Sequence, residues 1–382
     1  MSTKKYKIVK SKSIVYNGRT LYRIKALRDF NTVTGETVFK GDLGGFIETE
    51  NNLSQEGYCW IFNNAKIYEN AIVAGDVQIY HNAQVYGNAW IYDDARVSED
   101  AKICGGAEIF DSAEVFGNAE ISGNTQIFYG AHVCGNAKVY GYAKVCGKAR
   151  VYGEAKVYNF AKILDNAQVY DNAKIYENAI VAGDVQIYHN AQVYGNAWIY
   201  DDAFICDNAR IYGLAKIFNK AIVYGNAKVY GNAQIFGKAK VYGNAEVYGN
   251  AEIFDYAFIF GDAKVFSNAK IFGTTWLYCA AKIGDKLSLN KGKYIFATLN
   301  IDETLSEIEP ICYKISFAVR VIELKLPIEQ GYIESLVSEL AKYDELIDYF
   351  HSNECEIIFT PNENKIYKLL LQSKQNIENF YK

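Results

Sequence analysis

The chain has 382 residues, 22% charged and 50% apolar when tyrosine is counted, with a formal net charge of −4. This balance is neither the basic surplus of a nucleic-acid binder nor the strongly acidic one of a polyanion mimic. No apolar run is long enough to cross a membrane, and Met1-Ser2-Thr3-Lys4-Lys5 opens no secretory leader, so the expected setting is soluble and cytoplasmic.

Residues 1–59 do not repeat and read as an N-terminal β cap. Lys5–Lys10, Ile14–Tyr16 and Thr20–Ile24 have strand character, and Asn17-Gly18 is a hairpin turn signal. The cap closes with Gly41-Asp42-Leu43-Gly44-Gly45-Phe46-Ile47 and Asn52 to Ile61, which runs into the repeat. Gly41, Gly44 and Gly45 are expected as turn residues of an end plug, because the first turn of a solenoid exposes strand edges and an open core. A ligand-binding glycine turn is the alternative, but no Lys or Ser/Thr follows at phosphate-loop spacing.

From 60 to 285 one six-residue pattern runs without insertion: aliphatic, aromatic, Gly/Asp/Asn, Asn, Ala, polar. The aliphatic slot recurs at every sixth residue from Ile61 to Ile283, thirty-eight times, and is Ile or Val except at Leu277. The slot four residues later is Ala except at Thr125, Thr275, Val77, Val185 and Leu287. So strict a period specifies a solenoid. Alternation makes Ala and Val point inward and Lys and Tyr outward, and Gly-Asn turns the corner. Three such sides make a triangular turn of eighteen residues. The segment from Asn64 to Ala95 recurs letter for letter from Asn172 to Ala203, six whole turns further on, which argues for modularity. At about 4.8 Å per turn the expected rod is roughly 60 Å long.

The hexad rule resembles that of the LpxA-like superfamily, which implies an all-β solenoid built as a left-handed parallel β-helix. Gly44-Gly45-Phe46-Ile47, Leu53-Ser54-Gln55-Glu56-Gly57 and Cys59-Trp60-Ile61 together resemble the YdcK-like hexapeptide-repeat proteins, over about residues 5 to 285. Similar chains are common in phage and prophage genomes, so the resemblance implies a phage or mobile-element setting. It implies the β-helix but no particular reaction.

Stepping by eighteen sorts the aromatic slot onto three sides. One carries Tyr140, Tyr158, Tyr176, Tyr194, Tyr212, Tyr230 and Tyr248; another carries Tyr200, Phe218, Phe236, Phe254 and Phe272; the third mixes Tyr152, Tyr170, Tyr188, Cys206, Tyr224, Tyr242 and Phe260. Stacked ladders are expected on all three. They serve either to stabilise a flat sheet or as a contact surface. Tyrosine keeps its hydroxyl in water, which favours stability alone for the Tyr side. Phenylalanine has no such handle, so the Phe side is expected to be covered by the C-terminal domain, a second copy or a protein partner. In the other outward slot, Lys216, Lys228, Lys240, Lys264, Lys270 and Lys282 lean basic, with Glu246 and Glu252 interrupting, and read as a solvated face rather than a nucleic-acid site.

A catalytic site is sought among four histidines. Hexapeptide acyltransferases that this repeat resembles use a histidine base and a CoA groove between subunits. His81 and His189 are duplicate copies in the corner slot, His132 lies in the outward polar slot and His351 lies beyond the repeat. His132 is the candidate base, because Tyr129-Gly130-Ala131-His132 departs from the consensus. Four of the eight cysteines, Cys104, Cys134, Cys146 and Cys206, occupy the aromatic slot as small apolar substitutes. There is no CxxC pair, and neither metal nor cofactor is expected.

Residues 286–382 hold all three prolines and read as a small α+β domain, with Leu287–Lys291 as linker or cap, strands at Tyr313–Leu326 and Glu354–Phe359, and helices at Pro327–Phe350 and Ile366–Tyr381. Cys312 and Cys355 read as core residues. The whole is expected to be a non-catalytic scaffold that binds a macromolecular partner, for instance a host or defence protein. The alternatives are an LpxA-like acyltransferase and a self-assembling or adhesive rod. The expected contact residues are Phe218, Phe236, Phe254 and Phe272 with Tyr194, Tyr212 and Tyr230.

Overall fold

The structure, a computed structural model, describes residues 4–278, 281–284 and 286–295, in two compact units, Met1–Asp207 and Asn208–Lys382. The strands and helices expected beyond residue 295, with His351, Cys312 and Cys355, lie outside the described residues.

The first unit begins with the cap. Strand β1 (Tyr6–Tyr16) pairs antiparallel with β2 (Arg19–Ala26) across Asn17 and Gly18, both at positive φ (48° and 75°). Such a two-residue loop matches the twist of the hairpin it joins. The two strands read before Asn17 are one, with an irregularity between Val9 and Ser13. A short hairpin follows, β3 (Phe30–Asn31) with β4 (Thr37–Val38), then β5 (Leu43–Ile47). β5 pairs antiparallel with β2 on one edge and parallel with Lys66–Ile67 on the other, so the cap continues one side of the solenoid and covers its first strand edge.

Gly44 and Gly45 are therefore strand residues of β5, not turn residues. A Cβ on Gly44 would lie 2.6 Å from the Ile61 carbonyl oxygen, and one on Gly45 would lie 2.4 Å from Ile61 Cγ2. The sheet presses against the first turn so closely that only glycine fits. Behind it, Lys5 is fully buried and donates from Nζ to the carbonyls of Glu56 (3.1 Å) and Gly57 (3.2 Å), with Cys59 Sγ at 3.2 Å. Burial pulls the Lys5 ammonium below its ordinary pKa and pushes the Cys59 thiol above its own.

From Trp60–Ile61 onward, two-residue strands alternate with corners, and each pairs parallel with the strands eighteen residues before and after it. Gln84 pairs with Lys66 and Lys102, Arg96 with Gln78 and Glu114, and Trp90 with Ile72 and Glu108, which defines a first, second and third side. The aliphatic and Ala slots of both units, from Ile61 to Ile283, are all buried, with Thr125 and Thr275 included, as the alternation predicts. This is the parallel β-helix expected.

Corner residues occupy the left-handed region even when they are not glycine, as at Glu69 (φ 58°), His81 (φ 55°) and Asp171 (φ 54°). Many corner side chains compensate. Glu69 Oε2 accepts from Gly87 N at 2.8 Å, Asp165 Oδ2 from Gly183 N at 3.0 Å and Glu177 Oε2 from Gly195 N at 2.8 Å. Each carboxylate satisfies the corner amide one turn above it, a charge-assisted bond that offsets the backbone cost. The following Asn slot forms its own ladder, as in Asn70 to Asn88 and Asn118 to Asn136, both 3.1 Å.

The second unit repeats the plan. Lys216, Gln234, Glu252 and Lys270 pair in sequence on the third side, and Arg210, Lys228, Glu246, Lys264 and Lys282 on the first. The strands then lengthen to Lys270–Tyr278 and Ser288–Ile295, which pair parallel with Ile271 opposite Leu289. The repeat register therefore runs one hexad beyond Ile283, because Leu289 fills the buried aliphatic slot and Leu287 the Ala slot. Leu287–Lys291, read as linker or cap, joins this sheet. No helix among the described residues is long and apolar enough to cross a membrane.

Candidate interaction faces

The outward aromatic slots stack as columns. In the first unit Tyr140, Tyr158, Tyr176 and Tyr194 lie 4.7–4.9 Å apart, centroid to centroid, with ring planes within 4°. In the second, Tyr212, Tyr230 and Tyr248 repeat this at 4.9 Å. Phe218, Phe236, Phe254 and Phe272 form their own column at 4.7–4.8 Å. All four Phe rings are half-buried, and Phe236 and Phe254 have a stacked ring on both faces, which leaves the edge outward. Several Tyr hydroxyls reach the polar slot of the next turn, Tyr152 to Gln168 and Tyr176 to Gln192, both at 3.5 Å.

Glu246 and Glu252, which break the lysine pattern in sequence, are the residues that hold the lysines in place. Glu246 lies between Lys228 (3.0 Å) and Lys264 (3.2 Å), and Glu252 bonds Lys270 at 3.0 Å. Partial burial alone would raise the Glu246 carboxyl, but hydrogen bonds from Lys228 and Lys264 outweigh it and hold the pKa below the ordinary carboxylate value. The Glu246 ladder lies on the first side, beside the Tyr212–Tyr230–Tyr248 column; the Phe column follows the third-side strands, where Glu252 pairs with Lys270.

His132 stands in the outward slot of the second side, with Glu114 and Arg150 paired to its strand on either edge. Its Nε2 lies 3.8 Å from Glu114 Oε2, and Glu114 also bonds Arg96 at 3.2 Å. His189 sits in a corner column, with Asp207 Oδ1 3.0 Å from its Nδ1 and Asp171 Oδ2 3.9 Å from its Nε2. Stepping the corner slot by eighteen finds this triplet in the sequence. Among the described residues no group of three or more His, Cys, Asp or Glu side chains could hold a metal ion, and the five cysteines there are free.

The third side of the first unit departs from the pattern in another way: its polar slot is apolar at Ile72, Trp90, Ile180 and Trp198. Ile72 is 43% exposed, Trp90 49% and Trp198 48%. These are the identical positions of the duplicated segment, and the signal that finds them is an apolar residue in a slot that is otherwise polar on this side, at Glu108, Gln126, Lys144 and Lys162.

The family model described as YdcK Beta solenoid repeat matches residues 83–99, about one turn of the first unit. No curated protein matches the chain.

Proposed function

We propose that the protein is a non-catalytic β-solenoid scaffold that binds a macromolecular partner along its side columns. The observation that carries this is the Phe218–Phe236–Phe254–Phe272 column, four rings stacked at 4.7–4.8 Å beside the Glu252–Lys270 ion pair. A row of ring edges next to paired charges suits the mixed surface of a protein better than a polyanion. The resemblance to phage and prophage chains supports a host or defence protein as that partner, met in the cytoplasm. Affinity capture from a host lysate with the wild type and with Phe218→Glu/Phe254→Glu tests this. One protein is expected on the wild type and not on the variant, at equal thermal midpoints. Identical capture by both, or none by either, removes the reading.

A second reading, an acyltransferase using His132, has one observation in its favour: Glu114 stands beside the imidazole, where an orienting carboxylate would. Acyl-CoA titration with His132→Ala as control decides it.

A further inference from the structure

We propose that the third side of the first unit is the interface of a homodimer in which two copies pack face to face with their solenoid axes antiparallel. The columns on this side run straight: Tyr92, Phe110 and Phe128 stack at 4.8 Å with ring planes within 5°. The cap meets this side only at its strand edge, where Leu53 bridges Val73 and Asn52 Nδ2 donates to the Ala71 carbonyl, and leaves its outward face open, with Ile72 43% exposed. Its β1–β2–β5 run continues the first side, and its β3–β4 hairpin lies against the second, where Thr34 bonds Gln78 at 2.8 Å and Tyr80 bonds Glu36 at 3.1 Å.

The duplication supplies the symmetry. A two-fold axis along the strand direction, between the turns of Gln126 and Lys144, sets Ile72 opposite Trp198 of the second copy and Trp90 opposite Ile180. Both exposed tryptophans then meet an isoleucine, at both ends of the interface. Between them, Glu108 meets Lys162 and Gln126 meets Lys144. The neighbouring aromatic column obeys the same operation by size: Ala74 meets Tyr200, Tyr92 meets Ala182 and Phe110 meets Leu164.

Other arrangements lack this match. Parallel copies on the same side would set Glu108, Lys144 and Lys162 each against themselves. The antiparallel operation on the first side, centred between Glu120 and Lys138, would set Lys102 against Lys156. Eight turns at about 4.8 Å, times a side roughly 15 Å wide, hide on the order of 600 Å² per copy, near the lower bound of specific interfaces. Charge complementarity and two buried tryptophan anchors per copy suit an interface of that size.

The test is sedimentation or light scattering of the full chain over a wide concentration range. The wild type is expected to be a dimer. Trp90→Glu/Trp198→Glu is expected to raise its dissociation constant at least a hundredfold, without changing the thermal midpoint of the monomer. Glu108→Lys weakens both symmetric charge pairs and is expected to raise it at least tenfold, and adding Lys162→Glu restores it. A wild-type monomer throughout, open-ended growth, or a dimer indifferent to these changes overturns the proposal. So does a Glu108→Lys defect that Lys162→Glu does not repair. The strip lies in the first unit and the Phe column in the second, so loss of partner capture with an intact dimer would count against the binding reading alone.

Discussion

Thr125 occupies a slot that is almost everywhere alanine, and its buried hydroxyl has no hydrogen-bond partner. Thr275, in the same slot of the second unit, donates to the Phe272 carbonyl at 2.8 Å. A buried hydroxyl without a partner forfeits its hydration with no return, so Thr125→Val is expected to stabilise the protein by about 1 kcal/mol, read as a raised urea midpoint. Gly45 is the opposite case. A methyl there meets Ile61 Cγ2 at 2.4 Å and the Ala65 carbonyl oxygen at 2.6 Å. Gly45→Ala is therefore expected to cost about 1–3 kcal/mol and to loosen the cap from the first turn, which hydrogen exchange at Phe46 and Ile47 would show. Neither effect could be read from residue type alone. One depends on a missing acceptor and the other on how closely two sheets approach.

Within the columns, each residue has its electrostatic environment set by the turns above and below. The Tyr230 phenol is pushed up to about 12 by burial between its neighbours, with Glu246 and the flanking tyrosines adding repulsion. Its folded pKa exceeds the unfolded one, so its contribution is complete below the ordinary value of 10.0 and is lost as the pH climbs toward about 12. Spectrophotometric titration should show Tyr212 and Tyr230 ionising later than free tyrosine. Glu246 behaves in the opposite sense. Its folded pKa is depressed, so its stabilisation is complete above 4.5 and is lost as the pH falls through the lower folded value. Glu246→Gln is expected to flatten the acid side of the urea-midpoint profile, and high salt to reduce the difference.

The period, the in-out alternation and the stacked columns were all legible in the sequence, because the hexad fixes which way each side chain points. Partnership between turns was less legible. Glu246 looks like an interruption among lysines until Lys228 and Lys264 are set on either side of it. The corner acids suggest turn preference alone until Glu69 is seen bonding the amide of Gly87. The cap has no repeat to index it, so the strand role of Gly44 and Gly45 emerged only with the tertiary contact.

In each unit the three sides share one core chemistry but carry different outward columns. Removing residues 136–153, one full turn, keeps every later side chain on its own side. It also leaves the Ile–Trp and Glu–Lys pairs of the proposed dimer intact around Gln126. Removing residues 136–141 alone preserves the Ile/Val and Ala slots but moves everything after it to the next side. Both variants are expected to fold with similar thermal midpoints, since a solenoid is stabilised by neighbouring repeats. Only the full-turn deletion is expected to remain dimeric by light scattering, which separates what the core demands from what the surface specifies.

The copied segment from Asn64 to Ala95 has a bearing on inheritance. Where the two stretches are also alike in the coding sequence, they can misalign during recombination, and the product loses or gains the interval between them. Here that interval is a whole number of turns, so a shortened or lengthened descendant stays in register and folds. A descendant shortened in this way would retain one Ile–Trp pair instead of two. The number of turns and the strength of the proposed dimer would therefore change together, in a single genetic event.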